Sequence, residues 1–282
     1  MSASGGDAQA PSISGSVALD SLAALSRRHH GRGRRLVERN IVHYKHNWMI
    51  LVSGFFEPLF YLLSIGVGVG ALVGHLVGPD GQPISYRVFV APALLASSAF
   101  NGAVYDSTMN VYFKLKHDKL YDAVLATPMR VRDVAVGEIT WALLRGLIYS
   151  VAFLIVMGFM GLFVSWWALL ALPACSLIGF AFAAMGMAAT GYMRSFEDFE
   201  YVTMTQLVLF LFSATFYPIT VYPRWMQVVV EFSPLYQGVH MVRSLVLGDV
   251  GPSLLVNAAY LAVLGYIGLR IVDRRLSRLL TP

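Results

Sequence analysis

Six long apolar runs, separated by short polar segments, dominate the hydrophobic pattern of this chain. Each run is close to or above the ~20 residues that an α-helix needs to cross a bilayer. The runs cover about 48–77, 88–112, 136–164, 166–192, 201–221 and 253–270. Only Ser165, beside Trp166 and Trp167, separates the third run from the fourth, and tryptophan is enriched at membrane–water interfaces. The pattern predicts an all-α, polytopic integral membrane protein with six transmembrane helices.

The segment before the first run divides into two parts. Residues 1–30 are rich in small and polar residues, and we expect them to form a disordered cytoplasmic N-terminus. Residues 34–47 combine basic side chains with an apolar stripe at helical spacing, which is typical of a helix lying on an anionic membrane surface. The stripe consists of Val37, Ile41, Tyr44 and Trp48. A nucleic-acid-binding arm is the rival interpretation of the same charges.

A charged island lies between the second and third runs. Its apolar residues recur at helical spacing, which predicts a short amphipathic helix over 116–126. Thr127-Pro128 ends this helix, because the residue before a proline disfavours the helical conformation. The helix residues singled out are Lys116, Lys119, Leu120, Tyr121, Val124 and Leu125. An ordinary solvated loop is the alternative interpretation.

Residues 218–248, between the fifth and sixth runs, contain apolar pieces too short to cross a membrane. Pro218, Pro223 and Pro234 divide them. Such lengths are typical of a re-entrant or interfacial hairpin, here on the extracellular face. A partly ordered extracellular loop remains the alternative.

Composition and charge support a membrane protein and set its orientation. Hydrophobic residues make up 57% of the 282 residues and charged residues only 13%, whereas soluble domains contain about 25% charged residues. If the N-terminus is cytoplasmic, nearly all of the 21 Lys and Arg residues fall in cytoplasmic segments. The exceptions are Arg87, Arg224 and Arg243 outside, and Arg145 within a span. The positive-inside rule therefore places both termini in the cytoplasm.

Four charged residues lie inside predicted spans: Glu57, Asp106, Glu138 and Arg145. A charge at such depth costs about 3 kcal/mol and tends to pair or to face a polar cavity. Asp106 on the neighbouring span is the favoured partner of Arg145, with Glu138 on the same helix as the alternative. Contact with a substrate head group is the other open role for these side chains.

The order of these elements, together with three local strings, resembles a known family. The strings are FEPLFYLLSIGVGVG, KLYDAVLATPMRVRDVAVGEITWALLRG and FSPLYQGVHMVRSLVLG. They are similar to ABC-2 type exporter permeases, in particular the nodulation-factor (lipo-oligosaccharide) export permeases and the daunorubicin-resistance-type drug-export permeases. The resemblance implies a transmembrane domain over 31–282.

The resemblance also implies a function and a set of partners. Such a permease exports an amphipathic substrate, such as a lipid-linked saccharide, a glycolipid or a drug, across the bacterial plasma membrane. A separate cytoplasmic ABC ATPase binds ATP and Mg²⁺, and a second permease copy or a paralogous permease completes the unit. Residues 116–126 would be the coupling helix that docks on the ATPase, and 34–47 the connecting helix beside it. No cofactor is expected in this chain, which has no G-x-x-x-x-G-K-[ST] phosphate loop.

Two other classes compete with this interpretation. An intramembrane enzyme would be expected to carry a G-x-S-x-G elbow or an H-E-x-x-H metal pair, and the sequence contains neither. An ATP-independent secondary carrier would be expected to show an internal repeat, and the first and last three spans show none.

Overall fold

The computed structural model describes residues 37–40, 56, 58–78, 81–116 and 131–280. Residues 37–40 form one helical turn of the predicted interfacial helix. The longer elements are α1 (Pro58–Val73), β1 (His75–Val77), β2 (Pro83–Ser85), α2 (Tyr86–Lys116), α3 (Val131–Phe159), α4 (Trp166–Thr190), α5 (Phe199–Leu211), α6 (Arg224–Glu231), α7 (Pro234–Leu247) and α8 (Ser253–Leu280).

Within the described residues, four helices are long and apolar enough to cross a membrane: α2, α3, α4 and α8. They match four of the predicted spans to within a few residues at most ends, although α8 continues well past residue 270. Large apolar side chains on these helices are exposed, for example Phe159 at 89% and Trp166 at 90%. Such surface apolar area suits lipid as a solvent, and the chain is a multi-pass membrane protein.

The α4 helix is the centre of the bundle, contacted by α2, α3, α7 and α8. Its sequence is rich in Ala and Gly, and small residues allow neighbouring helix backbones to approach closely. The two helices approach closely at Gly268 of α8, where an added Cβ would lie 2.8 Å from the backbone carbon of Ala184. Small side chains on both helices therefore set the α4–α8 distance.

Two of the predicted spans differ in the structure. The first run was expected to remain helical to residue 77, but α1 ends at Gly74, which has a φ of +72°. A two-stranded antiparallel hairpin follows, with Leu76 opposite Ile84, while the long elements of the described chain are all helices, as the all-α prediction expects. The turn-forming Gly and Pro residues between the strands were the available signal.

The fifth run was predicted as one helix over 201–221, and this is wrong. Helix α5 ends at Leu211 after 13 residues, and Ala214 adopts a φ of +53°. The chain then passes through a short 3₁₀ turn at Ile219–Val221. Hydrophobicity alone could not reveal this break, because the residues beyond it are still apolar.

Candidate functional site

The first component of the site is a buried ion pair between α2 and α3. Arg145 Nη2 forms an ion pair with Asp106 Oδ1, and only 6% and 3% of the two side chains are exposed. This is the pairing that the sequence analysis favoured. The guanidinium also lies 5.8 Å from the ring of Tyr149, one turn further along α3. A guanidinium cannot escape burial by losing its proton, so a buried carboxylate stabilises it.

Asp106 begins a local widening of α2 that explains how it reaches α3. Residues Asp106–Asn110 form a π-helical segment, in which one backbone carbonyl can lose its usual helical partner. Thr190 at the end of α4 donates its hydroxyl to the carbonyl of Ser107 at 3.0 Å. The π-helical segment is thus tied to the central helix, and its position is fixed.

A second ion pair joins the same two helices nearer the predicted cytoplasmic side. Lys114 Nζ lies 2.7 Å from Glu138 Oε2, and only 3% of the Glu138 side chain is exposed. Asn40 belongs to the same cluster: its amide nitrogen donates to Glu138 at 3.3 Å, and its oxygen accepts from Lys114 at 3.4 Å. Arg39 lies 3.9 Å from the other carboxylate oxygen. Glu138 therefore pairs with Lys114 and Arg39, so the alternative pairing with Arg145 is wrong.

A cleft of about 590 Å³ opens between α1, α2, α3 and α5, with the Arg145 ion pair at its wall. Neutral polar side chains line much of it, including Ser98 and Asn101 from α2 and Thr203 and Gln206 from α5. Aromatic and apolar side chains from all four helices, such as Tyr61 of α1 and Phe210 of α5, supply the larger part of the lining. The cleft can hold a molecule that has both hydrogen-bonding and apolar parts.

Sequence reasoning missed a third polar centre, built around Arg243 of α7. Its guanidinium donates to the carbonyls of Phe89, Ala214 and Thr215 at 3.2, 2.8 and 3.2 Å. It also stacks 3.9 Å from the centroid of the Phe89 ring. Arg243 was expected among the extracellular charges, whereas it lies within the bundle, in contact with α2 and the segment after α5. An arginine surrounded by buried apolar residues of α7 was the available signal.

The carbonyls exposed by the break after α5 accept hydrogen bonds from the Arg243 guanidinium, so the hydrogen-bonding needs of both are met. Carbonyls freed from a helix inside a membrane need internal donors, and a buried guanidinium needs acceptors. Tyr86 adds a further donor through its hydroxyl, which binds the carbonyl of Phe216 at 2.9 Å. Ser97, which lines the cleft, lies 3.4 Å from the hydroxyl of Thr215. The unwound segment therefore contacts a residue that lines the cleft.

A short polar loop connects α4 to α5. The Asp198 carboxylate accepts hydrogen bonds from the backbone N–H groups of Arg194 and Ser195 at 2.6 and 3.2 Å. These two hydrogen bonds lower the pKa of Asp198, because they favour its ionised form. These hydrogen bonds fix the conformation of the loop.

Most of the residues singled out for coupling fall outside the described part of the chain. Lys116 ends α2, and Val37 lies in the helical turn at 37–40. The residues outside the description are Glu57, Lys119, Leu120, Tyr121, Val124, Leu125, Ile41, Tyr44 and Trp48. Among the described residues, no group of His, Cys, Asp or Glu side chains could hold a metal ion.

The class of the protein follows from comparison with known families. The ABC-2 type transporter family matches residues 33–247, which is most of the chain, and the chain belongs to that family. Its members are membrane permeases, so the chain is a transport subunit without an ATPase domain of its own. ABC-2 permeases pair with an ABC ATPase, and ATP is bound by that separate subunit.

Individual relatives narrow the comparison. The chain is 28% identical over 247 residues to Nodulation protein J of Rhizobium leguminosarum bv. trifolii, covering 85% of this chain and 92% of that protein. It is 26% identical over 232 residues to Nodulation protein J of Rhizobium meliloti (strain 1021), covering 80% and 86%. It is 25% identical over 250 residues to Nodulation protein J of Azorhizobium caulinodans, covering 85% and 95%. The chain is thus a distant relative of these proteins along nearly its whole length.

Proposed function

We propose that this chain is the permease subunit of an ATP-driven exporter that moves an amphipathic substrate out of the cytoplasm. The observation that carries the proposal is the cleft between α1, α2, α3 and α5. Amides and hydroxyls such as Asn101 and Gln206 offer hydrogen bonds to a polar head, while Tyr61 and Phe210 offer apolar surface to a tail. A lipid-linked saccharide, a glycolipid or an amphipathic drug fits this description.

The proposal includes an orientation in the membrane. Both termini lie in the cytoplasm, because that arrangement leaves few Lys and Arg residues outside. Helices α6 and α7 then form a re-entrant hairpin on the outer side, joined by only two residues, Phe232 and Ser233. Packing of α7 against α2, α4 and α8 supports a hairpin that enters the bundle. Six spans result if α1 and the broken α5 also cross the membrane.

The proposal also names the partners. Residues 116–126 form a coupling helix that docks on the cytoplasmic ATPase, and 34–47 form a connecting helix beside it. A second copy of the chain, or a paralogous permease, supplies the other half of the translocation path. The ion cluster of Asn40, Lys114 and Glu138 supports this arrangement. Asn40 belongs to the proposed connecting helix, and Lys114 lies two residues before the proposed coupling helix, so the cluster holds the two regions together.

Co-purification and substrate stimulation test the proposal. The full-length chain, expressed with its ATP-binding subunit and placed in lipid nanodiscs, should bind that subunit and show ATPase activity. We expect a lipo-chitooligosaccharide or daunorubicin to raise this activity at least twofold, and the more effective compound identifies the substrate class. Glucose, which has no apolar tail, is the control. Absence of a bound ATPase, or ATPase activity that neither compound changes, would contradict the proposal.

A further inference from the structure

Two ion pairs join α2 to α3. Each helix supplies one acidic and one basic residue, and the two helices run in opposite directions. Descending α2 toward the predicted cytoplasmic side, Asp106 comes first and Lys114 follows eight residues later. Ascending α3 from that side, Glu138 comes first and Arg145 follows seven residues later. At 1.5 Å rise per residue, the two pairs are about 10–12 Å apart along the helices. We call this arrangement, Asp106–Arg145 and Lys114–Glu138, the ion-pair ladder.

The order of charges fixes the register of the two helices. If α2 slid by one rung toward the cytoplasmic side, Asp106 would face Glu138. A slide by one rung the other way would bring Lys114 opposite Arg145. Both arrangements place like charges together in a buried environment, where such repulsion is strong. The two helices therefore resist sliding past each other by a full rung, and the two ion pairs favour their moving together.

The ladder has a different connection at each end. At the lower rung, the side-chain amide of Asn40 hydrogen-bonds to both Lys114 and Glu138, so the helical turn at 37–40 is attached there. At the upper rung, Arg145 lines the cleft. The chain segment that joins α2 to α3, and that contains the proposed coupling helix, connects the two sides of the ladder at its lower end.

We propose that the ion-pair ladder transmits movement of the ATP-binding subunit to the cleft, with Lys114, Glu138 and Asn40 as positioning residues. This inference rests on the proposed function, because it requires an ATPase docked at the segment between α2 and α3. The ladder makes α2 and α3 a rigid lever. A push on the segment that joins α2 to α3 then moves the cleft wall at Arg145, and the Asn40 contact moves the helical turn at 37–40 with it.

The test compares the cleft's response to nucleotide in ladder variants. The chain's one cysteine, Cys175, is replaced by Ala, and a bimane fluorophore is attached at Thr203→Cys, an exposed position on the cleft. A second reporter at Val263→Cys, on the outward face of α8 and 57% exposed, is the control. Each protein is studied in nanodiscs with the ATP-binding subunit, in ADP and in a non-hydrolysable ATP analogue.

We expect the nucleotide to shift the bimane emission at position 203 and not at 263. The neutral double variant Lys114→Gln/Glu138→Gln keeps a hydrogen bond and leaves no lone buried charge, because Arg39, the other partner of Glu138, is 38% exposed, so the variant should still bind the ATPase. Its nucleotide-dependent shift should be at least fivefold smaller. Lys114→Arg/Glu138→Asp, which keeps the ion pair, should restore most of the shift. Asn40→Ala, which leaves both charges paired, should fold normally and lose at least half of the shift.

The experiment distinguishes failure of the ladder proposal from failure of the proposed function. A full-size shift in the neutral double variant, or in Asn40→Ala should the double variant not fold, would overturn the ladder while leaving the transporter intact. The ladder is also overturned if the wild-type complex assembles and shows no shift at position 203. Failure of the wild-type chain to bind any ATP-binding subunit would overturn the proposed function, and the ladder as a transmission device with it.

Discussion

The guanidinium of Arg243 donates a 2.8 Å hydrogen bond to the carbonyl of Ala214, whose backbone has a φ of +53°. The contact joins α7 to the unwound segment that follows α5. A non-glycine residue in this conformation is strained and persists only when its surroundings hold it there. Arg243 provides that hold, because it also binds the carbonyls of Thr215 and Phe89.

Replacing Arg243 by Met should therefore destabilise the fold. Leaving a buried carbonyl without a donor costs about 1–3 kcal/mol, so the loss of three donors should lower the Tm by roughly 5 °C or more. Arg224→Met on α6 is the matched control, since that arginine is exposed on the same hairpin. Equal Tm values for the two variants in a detergent-based thermal unfolding assay would show that Arg243 does not hold the segment.

For the Asp106–Arg145 ion pair, we expect the double variant to give a higher yield of folded protein than either single variant. Asp106→Asn or Arg145→Gln alone leaves a lone buried charge, which costs about 3–5 kcal/mol. The double variant leaves none, so its yield of folded protein should recover part of the loss. Size-exclusion chromatography of all four proteins measures that yield. Simple additivity of the two losses would mean that the side chains do not interact.

Helix packing at α4 predicts opposite effects for the same substitution at two glycines. Gly268→Ala places a Cβ against the Ala184 backbone and should destabilise the protein by about 1–3 kcal/mol. Gly146→Ala on α3 meets nothing within 4 Å and should be neutral or stabilising by up to about 1 kcal/mol, because Ala favours helices. Thermal unfolding of both variants checks this. Equal unfolding temperatures for Gly268→Ala and Gly146→Ala would contradict the close packing of α8 on α4.

The coupling-helix proposal predicts loss of transport without loss of insertion. Tyr121→Asp or Leu125→Asp places a carboxylate on the apolar face expected to contact the ATPase, where desolvating a charge is costly. Transport should fall to background while the membrane-inserted amount stays within about twofold of wild type. Asp122→Asn, off that apolar face and outside the set singled out for coupling, is the control and should retain transport. Unchanged transport in both aspartate variants would mean that the segment is an ordinary loop.

The sequence predicts the features that the free-energy cost of placing polar groups in a bilayer dictates. It does not predict features that depend on which side chains the fold brings together. The long spans and the pairing of Arg145 with Asp106 were predictable, because a long apolar helix and a compensated charge are general requirements of the bilayer. Lys114 was counted only among the cytoplasmic charges, with no partner named, so its pairing with Glu138 was not predicted. The break after Leu211 was missed because carbonyl satisfaction by Arg243 depends on a helix more than 25 residues away.

The central claim is that ATP hydrolysis by a separate subunit drives export through this chain. The most direct measurement is uptake of a fluorescent lipo-chitooligosaccharide or of daunorubicin into inside-out proteoliposomes. We predict ATP-dependent uptake when both subunits are present, and neither uptake nor ATPase activity from the purified chain alone. ATPase activity of the chain free of any partner, or equal uptake without ATP, would contradict the account.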